Sequence, residues 1–258
     1  DQREERDLVD TARRALACSE MDALNWPLRP PARVHWARLL SVVGCALVLA
    51  AAVAVAAAPD FDRLLASFVQ RWGSATPTQR FAAWRELVVA VGTNPEAERL
   101  KRVNDFFNRS ITFGEDQAIW GQADYWATPL ETLGRGAGDC EDFAIAKYFT
   151  LRMAGIESAK LRLIYVRART GVADATPTQA HMVLAYYLQP DAEPLVLDNL
   201  IGDIRPASRR PDLSPVFSFN SEGVFVGPPG KEASAPAGLG RLSRWEDLLR
   251  RARAEGFQ

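Results

Sequence analysis

The chain has 258 residues, 48% of them hydrophobic, with 31 basic and 32 acidic side chains and a formal charge of −1. That length and apolar content permit one globular domain with a sizeable core. The near-neutral balance leaves no electrostatic footprint for nucleic acid and removes that class of partner.

Residues 1–38 form a charged N-terminal extension. Met21 opens a conventional n-region, so residues 1–20 are expected to be an over-extended start or a cytoplasmic tail, and His35 is a flank residue. Residues 39–58 are apolar and uncharged, with Arg29, Arg33 and Arg38 before them. They are expected to act as a signal peptide or membrane anchor, with cleavage near Ala56-Ala57-Ala58 preferred. Gly44-Cys45 lies at the start of this run, the wrong end for a lipoprotein site. Export exposes thiols to oxidising conditions. Beyond residue 58 the one cysteine is Cys140, which therefore has no internal disulfide partner and is either buried and inert or reactive.

Residues 59–226 carry the folded domain. Apolar spacing predicts helices over 60–72 and 79–91, separated by Thr76-Pro77-Thr78. A third opens at Asn94-Pro95-Glu96 with Leu100, Val103 and Phe107 inward, and Trp72 and Trp84 are expected in the core. Residues 110–138 are expected to be mostly loop. A strong helix spans about 139–153, with Gly155 at its C′ position. Strands are expected at 161–169, 181–189, 194–200, 216–219 and 223–226. Residues 227–258 read as a Pro/Gly linker and a last helix over about 244–253, capped by Ser243 and Glu246. Helices first and an antiparallel sheet second give an α+β fold.

The chemistry centres on Cys140, delivered by Gly136-Ala137-Gly138-Asp139 to the first turn of a helix, where free N–H groups and the helix dipole favour a thiolate. His181 follows at an expected strand start and Asp198 on the neighbouring strand. A base and an orienting acid complete the set that nucleophilic thiol catalysis requires. Taken singly, His181 also suits a polar strand end and Asp198 a turn. Asp139, Glu141 and Asp142 crowd Cys140 and should raise its pKa. Either Asp139 caps the helix while the other two complement its dipole, or the three bind a hard cation such as calcium. Asp116 and Asp124 are further candidate ligands. The Cys140 N–H is the natural first oxyanion donor; Trp126 is a candidate second donor or a packing residue.

The run Trp126-Ala127-Thr128-Pro129-Leu130-Glu131-Thr132-Leu133, then GAGDCEDFAIAKY, AHMVLAYY, LVLDN and PVFSFN, resembles the bacterial transglutaminase-like cysteine proteinases of the LapG type. The resemblance covers about residues 60–226. It implies a papain/transglutaminase-like fold in the periplasm and a calcium-dependent endopeptidase. It implies Cys140 as nucleophile, His181 as base, Asp198 as orienting acid, and Asp139, Glu141 and Asp142 as calcium ligands. The implied substrate is a large repeat-containing surface adhesin, cut in its N-terminal region at a paired-alanine site to disperse biofilm. The implied partner is an inner-membrane cyclic-di-GMP receptor that sequesters the enzyme. The rival readings are a transglutaminase-like acyl transferase and a non-catalytic receptor-docking module.

Overall fold

Three helices open the domain, each with an apolar stripe turned inward. They are α1 (Phe61–Trp72), α2 (Ala75–Val91) and α3 (Glu96–Ser110). Asp60 caps α1 by accepting the Arg63 N–H at 3.0 Å. The stripes bury Leu64 and Phe68, then Phe81, Trp84 and Val91, then Leu100, Val103 and Phe107. Trp84 is fully buried and its indole N–H donates to Thr150 at 2.9 Å. Trp72 is half-buried, its ring faced by the Arg71 and Arg135 guanidiniums. The computed structural model describes residues 59–169, 178–225 and 239–257. The expected export segment lies outside these residues. None of the described helices is long and apolar enough to cross a membrane.

The stretch expected to be loop contains structure. A two-residue strand β1 (Thr112–Phe113) pairs in parallel with β2 (Ala137–Gly138). Between them lie a single helical turn, α4 (Asp116–Ile119), and helix α5 (Pro129–Arg135). Thr128 and Glu131 form a capping box with Pro129 at the first position. Gly136 closes α5 in the left-handed region at φ 68°.

Helix α6 (Cys140–Met153) is buried at every residue from Asp142 to Leu151. Such a helix is a core element with no solvent face. Gly155, at φ 85°, follows its cap as expected. The helix lies against an antiparallel sheet of order β6-β5-β4-β3-β7-β8. Its strands are β3 (Leu161–Arg169), β4 (Thr178–Tyr186), β5 (Leu195–Leu197), β6 (Arg205–Pro206), β7 (Leu213–Asn220) and β8 (Gly223–Phe225). Leu161, Leu163, Met182, Leu184, Leu197 and Phe219 join the helices in one core. Val166, Val183 and Val196 form a smaller cluster of their own.

Of the strand boundaries that differ from expectation, three have clear physical causes or bear on the site. β4 begins at Thr178, because the β3–β4 ladder runs on through exposed polar residues that carry no hydrophobic signal. His181 therefore sits inside the strand, where exposure gives way to burial. β5 stops at Leu197, leaving Asp198 one residue beyond its end. β7 starts before Pro215, which the strand accommodates at a register shift against Tyr165/Val166.

The last helix, α7 (Leu239–Glu255), starts earlier than expected, so Ser243 lies inside it and not at its cap. Trp245, Leu248, Ala252 and Phe257 enter the main core. The Trp245 indole donates to the Asn220 carbonyl at 3.0 Å and packs on Tyr148, Phe149 and Phe219. Trp245→Ala should destabilise the protein by about 3–5 kcal/mol. Urea unfolding measures this, and a loss below about 1 kcal/mol would show that α7 contributes little to the core.

Candidate active site

The β1–β2 pairing sets the local geometry. Two parallel strands release their following residues side by side, so Asp116 after β1 and Asp139 after β2 emerge at the same end. The pairing is extended by the Gly114 N–H, which donates to the Gly138 carbonyl at 3.0 Å. Gly138 is required by packing: a Cβ there would lie 2.7 Å from the Asp142 side chain. The glycine-rich approach thus presses Asp142 against the backbone and delivers Cys140 to the start of α6.

Cys140 is half-buried and free. The Met182 backbone N–H faces the thiol and favours its charged form, so Cys140 lies against β4 one residue from His181. This contact falls past the end of the β4–β5 ladder, whose last pair is Leu184 with Leu197. Continuing that register by one step puts Asp198 opposite Val183, a diagonal neighbour of His181 on the same face. The His181 Nε2 and Asp198 Oδ1 are 2.8 Å apart and both side chains are buried. With Nε2 committed to the acid, Nδ1 is the ring nitrogen left to take a thiol proton.

Asp198 is held on every side. Its Oδ1 accepts the Leu200 N–H at 3.1 Å and its Oδ2 lies 2.7 Å from Arg210 Nη2. Its backbone carbonyl accepts from Asn108 at 2.8 Å and from Lys147 at 3.2 Å. Burial alone would raise its pKa, but the hydrogen bonds from His181 and Arg210 hold it down at about 2. Burial lowers Lys147 to about 7 against the opposing pull of Asp198. Sequence reasoning missed Arg210, Asn108 and Lys147. Lys147 alone left a signal, as the one charge inside the otherwise apolar run Phe143–Leu151.

The acids form a second constellation beside the thiol. Asp116, Asp124, Asp139, Glu141 and Asp142 fall into overlapping triplets whose ligand atoms lie within 4.8 Å of one another. Asp116 Oδ1, Asp124 Oδ1, Asp139 Oδ1 and Asp142 Oδ2 are buried without a hydrogen-bond partner. Asp139 stands at the N-cap of α6, yet its side chain makes no capping bond. Four orphaned carboxylate oxygens in one place cost free energy unless a cation satisfies them. An all-oxygen donor set suits a hard ion such as calcium. The further candidates Asp116 and Asp124 stand in the same cluster as Asp139, Glu141 and Asp142. Trp126 is buried and stacks on Phe219, a packing role.

A family model of the bacterial transglutaminase-like cysteine proteinases matches residues 81–211. The chain belongs to that family. Legionella pneumophila LapG is similar in structure, with a TM-score of 0.61 and 37% identity over 73% of this chain and 97% of that one. Its calcium-bound form gives a TM-score of 0.61 at 37% identity, over 74% and 97% of the two chains. Its EGTA-treated form gives 0.61 at 38% identity, over 73% and 97%. No curated protein matches the sequence. Membership makes the chain a cysteine proteinase with a transglutaminase-like fold, not a docking module without catalysis.

The proteinase faces an electrostatic conflict. Burial, then the Glu141 and Asp139 charges, push the Cys140 thiol far above its ordinary pKa. The thiol donates to Glu141 Oε2 at 2.9 Å. Burial also raises Asp116 to about 6 and pushes Asp139 and Asp142 strongly upward, with neighbouring carboxylates adding to each. Without a cation, the folded state therefore keeps protons that the unfolded chain releases. That stabilisation is present at low pH and is lost as pH climbs through the folded pKa values. In a chelator, the melting temperature should fall from about pH 4 to beyond about pH 6. In millimolar calcium the ligated acids stay ionised, and this decline should flatten. Parallel melting curves in the two buffers would remove the cation from the site.

Proposed function

We propose that this proteinase is a calcium-dependent periplasmic endopeptidase acting through a Cys140 thiolate, His181 as base and Asp198 as orienting acid. The observation that carries the reading is Glu141, which belongs both to the acid cluster and to the hydrogen bond that holds the thiol proton. A cation drawing Glu141, Asp139 and Asp142 to itself would take the carboxylate off the sulfur and cancel the repulsion of a thiolate. Calcium, when bound, supplies that positive charge. Asp116 and Asp124 would complete the oxygen set. The thiol proton would then pass to His181, whose charged form Asp198 stabilises. The thiolate would attack the scissile carbonyl with the Cys140 N–H serving the oxyanion. Collapse breaks the C–N bond, and His181 returns its proton to the leaving amine. Water deprotonated by His181 then hydrolyses the thioester to free acid and Cys140. The calcium-bound and EGTA-treated forms of Legionella LapG favour this cation for a chain of the same family.

In the same reading, residues 39–58 export the enzyme. Its substrate is the N-terminal region of a large repeat-containing surface adhesin, cut at a paired-alanine site to release it and disperse biofilm. An inner-membrane cyclic-di-GMP receptor sequesters the enzyme when that messenger is abundant.

The decisive assay incubates a purified adhesin N-terminal fragment with the wild type and with Cys140→Ala, in calcium and in chelator. Cleavage is expected only from wild type with calcium. Cleavage undiminished in chelator would reject the calcium requirement. Incorporation of a labelled amine without chain cleavage would move the reading to acyl transfer. In the same assay Asp198→Asn should lower turnover at least about a hundredfold with the fold intact. A wild-type rate would reject its role as orienting acid.

A further inference from the structure

The catalytic set uses only one oxygen of Asp198. The other is taken by Arg210, whose side chain is 1% exposed. The same guanidinium donates through Nε and Nη2 to Asp212, at 3.0 and 2.8 Å. Asp212 is partly solvated, with its side chain 30% exposed. Arg210 follows a 3-10 turn at Ala207–Arg209 and precedes β7. That turn continues β6, which pairs with β5, and the Ala207 N–H donates to the Pro194 carbonyl at 3.0 Å, so Arg210 is anchored to the strand that Asp198 follows. Its surroundings are the apolar side chains of Val166, Val183, Val196, Ala207 and Leu213, which form a groove of about 490 Å³. Polar partners are scarce there: Nη1 is buried without one, and the hydrogen bonds of Nε and Nη2 go to the two carboxylates.

A carboxylate with one strong partner can swing about its Cβ–Cγ bond. A second partner on the other oxygen removes that freedom. The planar guanidinium fork suits the task because it can hold two carboxylates in one fixed geometry, which a lysine ammonium cannot. We infer that Arg210 is a positioning residue of the proteinase: it locks the Asp198 carboxylate so that Oδ1 stays on His181, while Asp212 locks the guanidinium from outside. The inference rests on Cys140, His181 and Asp198 being the catalytic set. A merely structural ion pair would show the same contacts. It would not transmit its loss to Cys140 through Asp198.

The test is a double-mutant cycle on the full chain in calcium. The readout is the rate at which iodoacetamide alkylates Cys140 at one near-neutral pH, followed on the Cys140 peptide by mass spectrometry. Removing a cation beside Asp198 would by charge alone favour the imidazolium and speed alkylation. Slowing therefore isolates the positional effect. Arg210→Met should slow alkylation about tenfold in the wild type but less than about twofold in an Asp198→Asn background. Asp212→Asn leaves the buried pair in place and serves if Arg210→Met does not fold; it should slow the wild type about two- to fivefold and the Asp198→Asn background hardly at all. Equal slowing in both backgrounds, or no slowing in folded variants, would overturn the inference alone. An Asp198→Asn variant that alkylates at the wild-type rate would instead overturn the catalytic set, and the inference with it.

Discussion

Helix α6 has no solvent face, and the site inherits its rigidity from that fact. Residues from Asp142 to Leu151 are buried on all sides, between α2, α3 and α5 and the sheet. Rotating or sliding such a helix would open cavities and break packing along its whole length. Its first turn, where Cys140 stands, is therefore fixed relative to β4. Lys147 adds a polar tie, since its ammonium reaches the Asp198 carbonyl at 3.2 Å from two turns along the same helix. The nucleophile and the acid are thus linked through one rigid body, although they lie on separate elements. The cost is a buried ammonium whose pKa falls to about 7.

The crowding of carboxylates makes sense only against that rigidity. A flexible loop would let Asp139, Glu141 and Asp142 turn to water. Here Asp142 is wedged against Gly138 and accepts the Ala127 N–H at 2.8 Å, while the β1–β2 pairing holds Asp116 alongside. Asp124 is held by Arg244 of α7 at 2.6 Å, and α7 also braces the neighbouring loop. Arg251 reaches the Trp126 carbonyl at 2.6 Å and pairs with the buried Glu131 at 2.6 Å. Like charges fixed close together in low dielectric repel strongly. A preformed set of this kind binds a cation at little reorganisation cost. It also suppresses the thiolate, which in the proposed reading lasts until the cation arrives. Binding and activation are then one electrostatic event.

Much of this was legible in the sequence, and the misses have causes. The first helices were readable because their apolar spacing is regular, and β3 because Ile164, Tyr165 and Val166 favour a strand. Cys140 and His181 stood out because the chain is poor in Cys and His, and Asp198 because it ends the apolar run Leu195–Leu197 on the neighbouring strand. The short elements between 112 and 138 were missed. Two-residue strands carry no periodic signal, and α5 is announced only by its Thr-Pro-x-Glu cap. That cap was present in the sequence and went unread. Asp116 could be suspected as an acid in a loop, but its position beside Asp139 depends on the parallel β1–β2 pairing, which joins residues far apart in the chain. Arg210 was not legible at all. It sits in an unremarkable Ser-Arg-Arg-Pro-Asp turn, and its partner is defined only by how that turn packs on the sheet.

The two halves of the site impose opposite demands on charge. Around Cys140 the protein gathers carboxylates whose charge is balanced by retained protons or, in the proposed reading, by a bound cation. Around Asp198 it supplies its own cations, with Arg210 on the carboxylate and Lys147 on the carbonyl. The division follows function. An orienting acid must stay ionised and aligned at all times, so its counter-charge is built in and buried. A free thiol gains from remaining protonated until it is needed, because the thiolate is the form that oxidises. In the proposed reading, placing the switchable charge at the sulfur and the permanent charge at the acid would let one bound ion control the thiol without disturbing the alignment of the histidine.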